Sequence, residues 1–331
     1  MSITLLDSAG SEVTKQTHQI LSQIADYQET EPALVRFVFV LEPGDYHAQV
    51  TLLDHKTKNS RTFTRRVRLP NYGNSELSFS DLEFASSITV SQDTTSVLVK
   101  NFRKIVPNVA RVYGREVNTL YVYFEIYNIV WLPGTQDKWL DMRCTILEDS
   151  VAVKSEKIRY PLLGRSLAGD LGIRVDDLGP GRFRLLLKAM APDGQVAQKE
   201  TVFNIIKPYQ LYSHGEMEEF MRQIAVIAAP DEIEHLKSDD DTLRAIDQFW
   251  KSRDPTPNTE HNEMFLEFCR KVLYANEHFT CHGQPGWETE RGRIYIINGQ
   301  PNRTEQDENG REMWTYSFAQ YVFPPCEWIP N

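Results

Sequence analysis

The residues best suited to acid–base or metal chemistry are concentrated in the last third of the 331-residue chain. Such chemistry needs a basic side chain beside a carboxylate. Glu277 and His278 lie near the end of a predicted helix, and Glu288 and Glu290 lie across the turn that follows. The candidate binding residues are Asp254, His278, Trp287, Glu288, Glu290, Arg291 and Arg293, with Arg253 and His282 close to them in the sequence.

Two interpretations of this group remain open. In the first, the group forms the site of a hydrolase or metal-dependent enzyme between the helices and a β-hairpin. In the second, the arginines pair with Asp254, Glu288 and Glu290 and lock helix to hairpin, while Asn276 and His278 hydrogen-bond loop backbone. The sequence contains no HExxH, no GxSxG and no glycine-rich phosphate loop. We therefore assign no catalytic residue and favour the structural interpretation, with contact to a partner as the second choice.

The four cysteines show no CxxC spacing. Cys144 falls within a predicted strand and Cys269 on an apolar helical stripe, so we expect both to be small core residues. Cys281, His282 and Cys326 offer three zinc ligands, but no fourth ligand accompanies them. We therefore predict no metal site and no cofactor.

One stretch, residues 286–301, organises the candidates around it. Trp287 is a large apolar anchor, and Gly286 and Gly292 would allow close approach of the backbone. Residues 293–297 alternate in the period-two manner of a strand, which Asn298-Gly299 would close as a turn. The sequence thus predicts a hairpin whose second strand is residues 313–318.

Helical periodicity precedes this stretch. Apolar residues recur at helical spacing over residues 217–228, 243–250 and 265–276, and Pro230 begins a further segment between the first two. The acidic residues at 239–241 offer N-cap oxygens for the helix that carries Trp250. We expect three or so helices beside the hairpin, with Trp287 buried against the helix that carries Tyr274.

These C-terminal residues resemble a known family. The run Gly286-Trp287-x-Thr289-acidic, followed by Arg291-Gly292-Arg293-Ile294 and by Gly299-x-Pro301, is similar to the bacterial GWxTD domain, whose biochemical role is not established. The likeness extends upstream to residues 249–257 and 274–279, and covers roughly residues 209 to 318. Glu290 stands where the family name has Asp. The resemblance implies an exported protein and supplies no catalytic residues.

The N-terminal part is typical of β-structure. Residues 34–40, 45–53 and 62–69 are predicted strands, and the polar tip at 54–59 joins the last two into a hairpin. Residues 41–70 recur in kind at 178–206, where Pro192-Asp193-Gly194 supplies the turn. An internal repeat of this type indicates two similar β-sandwich modules.

The two modules differ in the amount of strand material before their hairpins. About a hundred residues, with predicted strands at 120–126 and 138–147, precede the second hairpin, whereas forty precede the first. We therefore predict a mainly β chain of tandem Ig-like β-sandwich modules, followed by a helical segment and a β-hairpin in a C-terminal α+β domain. The predicted domains are an incomplete module (1–75), a full sandwich (76–207) and a truncated GWxTD-like domain (208–331).

The strand at 121–128 places Tyr121, Tyr123, Glu125 and Tyr127 on one face. Such a tyrosine face suits a carbohydrate or peptide platform, but ordinary cross-strand packing of aromatic side chains is the commoner reason for it. We therefore expect these tyrosines to pack.

Composition limits the classes of partner. The net charge of −10 argues against a nucleic-acid-binding protein, and no apolar run approaches the length of a membrane span. A protein partner fits best, and the sequence does not indicate an oligomeric state.

The sequence and the resemblance point to different compartments. The first residues form no signal peptide, yet the resemblance and the tandem sandwiches suit the periplasm or cell surface. We therefore expect a fragment of a longer exported bacterial protein, acting without catalysis as a binding or scaffold protein of the cell envelope.

Overall fold

The computed structural model describes residues 1–19, 35–93, 95–114, 117–130, 139–238, 241–257, 262–308 and 310–326. The described chain is mainly antiparallel β-structure, followed by a helical segment and then by hairpin strands, as the sequence predicts. The boundaries of the three domains stay predictions.

The first sheet contains four antiparallel strands in the order β2-β1-β3-β4. They are β1 (Ser2–Leu6), β2 (Glu12–Thr17), β3 (Gly44–Leu53) and β4 (Ser60–Leu69). The predicted hairpin is β3–β4, and the Asp54 carboxylate forms its turn by accepting the backbone N–H groups of Lys56 and Thr57. The hydrogen bond from the Thr57 hydroxyl, followed by those two backbone hydrogen bonds, lowers the pKa of Asp54.

The strand predicted at residues 34–40 is wrong for residues 35–40, which form no strand, while residue 34 lies outside the described residues. The carbonyl oxygen of Val38 instead accepts a hydrogen bond from the side chain of Gln16, from Nε2 at 2.6 Å. The Arg36 guanidinium meanwhile reaches the Val97 carbonyl and the Glu83 carboxylate. Long-range contacts of side chains therefore replace the ladder that the apolar alternation predicted.

The next region is a sandwich of two sheets. Its strands are β5 (Ser78–Phe79), β6 (Glu83–Val90), β7 (Val99–Lys100), β8 (Arg103–Pro107), β9 (Val112–Tyr113), β10 (Thr119–Tyr127), β11 (Trp139–Glu148), β12 (Val151–Pro161), β13 (Leu167–Arg174), β14 (Gly181–Met190) and β15 (Val196–Ile205). One sheet has the order β13-β10-β6-β8-β7 with β5 beside β10, and the other has the order β12-β11-β14-β15-β9. The strands predicted at 120–126 and 138–147 are β10 and β11, although residue 138 lies outside the described residues.

Apolar side chains of the two sheets fill the space between them. Every second residue of β14, from Phe183 to Ala189, is buried, as is Cys144 on the neighbouring β11. The rings of Phe183 and Phe203 stack at 5.7 Å between centroids. This interdigitated layer is the largest core of the molecule.

The first sheet repeats one sheet of the sandwich, strand for strand. The orders β2-β1-β3-β4 and β12-β11-β14-β15 correspond, and all their pairings are antiparallel. Cross-strand pairs correspond as well, since Tyr46 faces Val67 where Phe183 faces Phe203. The outer hairpins β1–β2 and β11–β12 each shift register at the equivalent position, Leu5/Leu6 and Ile146/Leu147. The repeat inferred from two hairpins thus extends to whole four-stranded sheets.

The helical segment follows β15. Its helices are α1 (His214–Ile224), α2 (Pro230–Ser238), α3 (Thr242–Lys251), α4 (Glu263–Phe279) and α5 (Glu290–Asn298), with short 3₁₀ turns at Tyr209–Leu211 and Gly286–Glu288. Ser213 and Glu216 form a capping box on α1, and Asp241 and Asn262 cap α3 and α4. The predicted helices are confirmed, and their apolar faces meet in a second core around Phe220, Trp250, Phe265 and Phe268.

The predicted strand at residues 293–297 is wrong, because these residues belong to α5. Thr289 caps the start of this helix and Gly299, at φ 73°, ends it, so local capping overrides the alternation of apolar residues. The sheet that follows contains β16 (Arg303–Gln306), β17 (Glu312–Thr315) and β18 (Gln320–Phe323) in that order. The hairpin is therefore β16–β17, and the strand predicted at 313–318 is confirmed at 313–315 in β17, while residues 316–318 form no strand.

Candidate functional site

The run of residues 286–301 described above, here called the signature, holds α5 against α4 through contacts of the backbone. The Trp287 N–H donates to Asn276 Oδ1 at 3.1 Å, and the Gly286 N–H donates to the Thr280 hydroxyl at 3.1 Å. The Thr280 hydroxyl donates in turn to the Asn276 carbonyl at 2.7 Å. The last turns of α4 thereby fix the chain at the point where the signature begins.

Two glycines are required by close packing. A Cβ atom at Gly286 would lie 1.8 Å from the Ala275 carbonyl oxygen, and a Cβ atom at Gly292 would lie 1.8 Å from the Gly286 carbonyl oxygen. Both neighbours are backbone atoms, which cannot move aside as a side chain can. A side chain at Gly286 would therefore push the 3₁₀ turn away from α4, and one at Gly292 would push α5 away from that turn.

Thr289 joins the turn to the helix. Its hydroxyl accepts the Gly292 N–H at 3.1 Å and donates to the Gly286 carbonyl at 2.7 Å. Glu290 follows in the first turn of α5, where a negative charge is favourable because of the helix dipole. The acidic position of the signature thus has a structural use that either Asp or Glu serves, and the Glu290 side chain is exposed.

Trp287 is buried, with 2% of its surface exposed, in the core shared by the helices. Its indole Nε1 has no hydrogen-bond partner among the described residues. The Arg222 guanidinium lies 5.6 Å from the ring centroid and forms an ion pair with Glu288 at 3.1 Å. The expectation of a buried anchor is confirmed, although the neighbour beyond it is α5 and not a hairpin.

The two signature arginines differ in their surroundings. Arg291 bonds the Pro324 carbonyl at 2.6 Å and pairs with Glu312 at 3.3 Å, while its guanidinium lies 5.6 Å from the Phe323 ring centroid. This residue connects α5 to β17 and β18. Arg293 is exposed, and no described residue hydrogen-bonds or pairs with its side chain. Sequence reasoning assigned both arginines a structural role, and the contacts found for Arg291 are of that kind.

His278 belongs to a column of stacked rings on the surface. Its ring lies 3.9 Å from that of Tyr274, which stacks on Tyr295 at 4.4 Å. Its Nδ1 lies 3.0 Å from the Tyr274 carbonyl oxygen, one helical turn earlier. Burial raises the pKa of Tyr295 to about 12, so this hydroxyl stays protonated at neutral pH. Neighbouring Glu277 pairs with Arg182 of the sandwich at 3.1 Å.

Asp254 lies far along the helical segment from the signature. Its Oδ1 accepts the Thr256 N–H at 3.0 Å and so shapes the turn after α3. The preceding Arg253 holds Glu232 at 2.5 and 2.7 Å and lies 3.7 Å over the Phe249 ring. The Arg253 hydrogen bonds, helped by the Ala229 N–H, lower the pKa of Glu232.

Cys281 and Cys326 form a disulfide, with their Cα atoms 5.9 Å apart. They also lie close to His282 in the one three-residue group with metal-ligand geometry found among the described residues. Sulfurs bonded to each other are not thiolate ligands, so the structure gives this pair a covalent role in place of the weighed zinc site. Sequence reasoning missed the disulfide because the 45-residue spacing carries no motif. Cys144 and Cys269 are buried, as predicted, and neither takes part in the disulfide.

A cavity of about 140 Å³ lies where the sandwich meets the helices. Its walls come from the ends of β14 and β15 and from α1 and α4, and include Glu216, Gln223, Cys269 and Asn276. None of the seven candidate residues lines it.

The tyrosine face of β10 forms hydrogen bonds within its own strand. The Tyr123 and Tyr127 hydroxyls donate to the two Glu125 carboxylate oxygens at 2.5 and 2.6 Å.

The seven candidate residues therefore do not converge on one point. Trp287 and Arg291 contribute to packing, Glu288 pairs with Arg222, and Asp254 shapes a separate turn. The other three, His278, Glu290 and Arg293, are exposed. Among the described residues this arrangement presents contact surface and does not assemble an acid–base pair around a shared space.

Residues 190–323 match the family model described as "GWxTD domain". This match confirms the resemblance carried by the signature and extends it upstream to the last strand of the sandwich. No curated protein matches the chain.

Three solved structures are similar over parts of the chain. The first is a tetra-tandem repeat in the extending region of a large adhesion protein, with 13% identity, 62% of this chain and 41% of that chain covered, and a TM-score of 0.20. Two are extracellular domains of putative hybrid two-component and one-component systems from B. thetaiotaomicron. Each has 12% identity, half of this chain covered and a TM-score of 0.19, with 25% and 24% of those chains covered. The chain spans less than half of each, and TM-scores of this size do not establish a shared fold.

No helix in the described parts of the chain has both the length and the apolar character needed to cross a membrane.

Proposed function

We propose that this protein is a non-enzymatic binding or scaffold protein of the bacterial cell envelope, whose C-terminal domain presents a rigid surface to a protein partner. The observation that carries the proposal is that the signature residues are used for packing within the domain. Gly286, Trp287, Thr289 and Gly292 fix α5 on α4, and Arg291 fixes it to the final sheet. Residues used in this way hold a shape and have little freedom to serve a reaction.

The exposed candidates supply the contact surface. Glu290 and Arg293 lie three residues apart on the outer side of α5, and Ile297, which is also exposed, continues the same face one turn later. Arg293 has no partner among the described residues, so binding requires no internal ion pair to break. Arginine beside an exposed apolar side chain is typical of protein interfaces.

The disulfide supports a location outside the reducing cytoplasm. Structural disulfides persist in oxidising compartments such as the periplasm and the cell surface. Here the bond joins the loop after α4 to the residues that follow β18, and so closes the signature helix and the last sheet into one covalent ring. A periplasmic or surface protein gains stability from such a ring.

The test uses a photo-crosslinking amino acid at Arg293 in the full chain, expressed in its native bacterium. We expect one discrete adduct with a protein. A variant with the same probe at Arg174, an exposed residue of the sandwich, is the matched control and should give none. Charge reversal at Glu290 in the first variant should reduce the adduct, while the lost helix-dipole interaction should lower the stability by no more than about 1 kcal/mol.

Three outcomes would contradict the proposal, two of them its function and one its location. One is equal labelling from both positions. Another is turnover of generic ester, phosphate or glycoside substrates that is lost in His278→Ala or Glu288→Gln, which would favour a hydrolase between the helices and the hairpin. Reduced Cys281 and Cys326 in protein isolated from intact cells would contradict the oxidising compartment.

A further inference from the structure

The outer edge of the first sheet is long, regular and open. The strand β4 has ten residues, and its only pairing partner among the described residues is β3. Residues 60 to 68 are all exposed, so both faces of the strand as well as its outer edge meet solvent. Unpaired N–H and C=O groups on such an edge form a template for another strand.

The sandwich shows what this edge position accepts. Its strand β15 occupies the place that β4 has in the first sheet, and β15 is not the last strand there. The short strand β9 pairs with it in parallel, Val112 beside Asn204 and Tyr113 beside Ile205. The equivalent edge is thus extended by a strand in one sheet, whereas in the other no strand from the described ranges pairs with it.

The β12 edge of the sandwich shows how an edge is protected. Its strand carries basic side chains that pair with acids elsewhere in the sandwich, Lys154 with Asp177 and Arg159 with Asp141. It also ends at Pro161 and contains a register shift. These are common devices against strand addition. The strand β4 has no proline, no register shift against β3 and no acidic residue.

The charge on β4 has one sign. It contains Arg61, Arg65, Arg66 and Arg68, of which only Arg66 pairs with a described residue, Asp45 at 3.3 Å. On the face shared with Tyr46, the side chains alternate as Arg61, Phe63, Arg65 and Val67. Phe63 and Val67 are 50% and 41% exposed. A matching strand would therefore alternate acidic and apolar residues on that face.

Building on the proposed scaffold function, we propose that β4 is a docking edge to which an acidic, extended segment of a partner protein adds as a fifth strand. Backbone hydrogen bonds to the edge supply affinity, and alternate acidic side chains opposite Arg61 and Arg65 supply specificity. A second copy of this chain is a poor occupant, because two β4 strands would bring eight arginines together without an acid. A nucleic acid offers charge but no strand to complete the ladder.

The experiment measures binding of a fluorescent peptide to the full chain by anisotropy. The peptide Glu-Thr-Val-Thr-Glu-Thr-Val-Thr-Glu matches the face of Arg61, Phe63, Arg65 and Val67. A second peptide with the same side chains carries N-methyl groups at alternate residues, which remove backbone donors and keep the charge. We expect binding of the first and at least about tenfold weaker binding of the second.

Two single variants with the same change in charge test the face. Arg61→Glu should weaken binding about tenfold, whereas Arg68→Glu, on the opposite face of the same strand, should change it much less. Both positions are exposed, so both variants should melt with the parent. Equal loss in the two variants would overturn face-specific docking.

Other outcomes would overturn the proposal directly. They are absence of binding, equal affinity of the N-methylated peptide, and full competition by an oligonucleotide of equal charge, which would indicate anion binding without strand addition. Dimerisation that buries β4, seen by sedimentation, would make a second copy the occupant. The Arg293 adduct is a separate readout: if it forms while the peptide fails to bind, the scaffold function stands and the docking edge does not.

Discussion

The sheets β2-β1-β3-β4 and β12-β11-β14-β15 share strand order, register and the position of an irregularity, yet they bury very different amounts of surface. Phe203 is fully buried, whereas Val67 at the equivalent place is 41% exposed. The difference lies in what faces each sheet. In the sandwich a second sheet covers the apolar face, and among the described residues no second sheet covers that of the first. The pattern of strands in the sequence therefore determines the strand order of a sheet. Whether its apolar side chains are buried depends on the layer that packs against it.

The largest expected effect contrasts equivalent core positions. Phe203→Ala should lower the free energy of unfolding of the sandwich by about 3 to 5 kcal/mol, because it leaves a cavity in a close-packed layer. Val67→Ala should cost less than about 1 kcal/mol, because its side chain is already partly in water. Denaturant melts monitored separately for the two regions will measure both. Equal losses would show that the first sheet is covered as well as the sandwich is.

The second effect concerns backbone protection. Amides of β14 should exchange with solvent only through global unfolding of the sandwich, whereas those of β4 should exchange through local opening, orders of magnitude faster. Hydrogen exchange with mass spectrometry on peptides from each strand will measure the ratio. Similar protection in β4 and β14 would count against the open first sheet.

The third effect concerns a thiol. Cys144 lies beside Leu187 in the sandwich just as Ile3 lies beside Val50 in the first sheet. Burial raises the pKa of Cys144 to about 12, so it should resist alkylation at pH 8, whereas the engineered thiol of Ile3→Cys should react in the folded protein.

The same raised pKa predicts how stability changes with pH. The thiol ionises near its ordinary pKa of 9.0 in the unfolded chain and only near 12 in the folded protein. The contribution of Cys144 is therefore fully present below pH 9 and is lost as pH rises towards 12. Cys144→Ala should flatten that decline in alkaline melts, and an unchanged slope would contradict the assignment.

The smallest expected effect should not distinguish the sheets. The pairs Asp45–Arg66 and Arg184–Glu200 both join strands of the equivalent hairpins, at 3.3 and 3.1 Å, and all four side chains are exposed. Exposed pairs contribute about 0 to 1 kcal/mol. Double-mutant cycles should give similar small couplings, and a large value in one hairpin alone would show that screening by solvent differs between them.

The sequence predicted elements wherever local pattern and final packing agree. The turns at 54–59 and 192–194, the four predicted segments of the helical region and the burial of Trp287 follow from periodicity and side-chain type. Prediction failed at residues 293–297, where Thr289 and Gly299 outweigh an apolar alternation, and at residues 35–40, where long-range side-chain bonds replace a ladder. Capping signals at 289 and 299 would have corrected the first error.

The candidate site was harder to predict than the fold. Residue types gave Arg291 and Arg293 the same role, but only three-dimensional placement puts the first against β17 and β18 and leaves the second in solvent. The disulfide and the bare edge of β4 had no sequence signal, since each depends on which distant segments become neighbours.

The Cys281–Cys326 bond also determines how the molecule carries tension. A force applied through the chain on either side of these two residues passes across the sulfur–sulfur bond and not along the intervening sequence, although the two cysteines are 45 positions apart. The signature helix and the three-stranded sheet lie between the two cysteines and therefore do not bear this force. In a scaffold anchored at one end and pulled at the other, the first sheet, the sandwich and the first four helices would yield, while the part between the two cysteines would keep its shape.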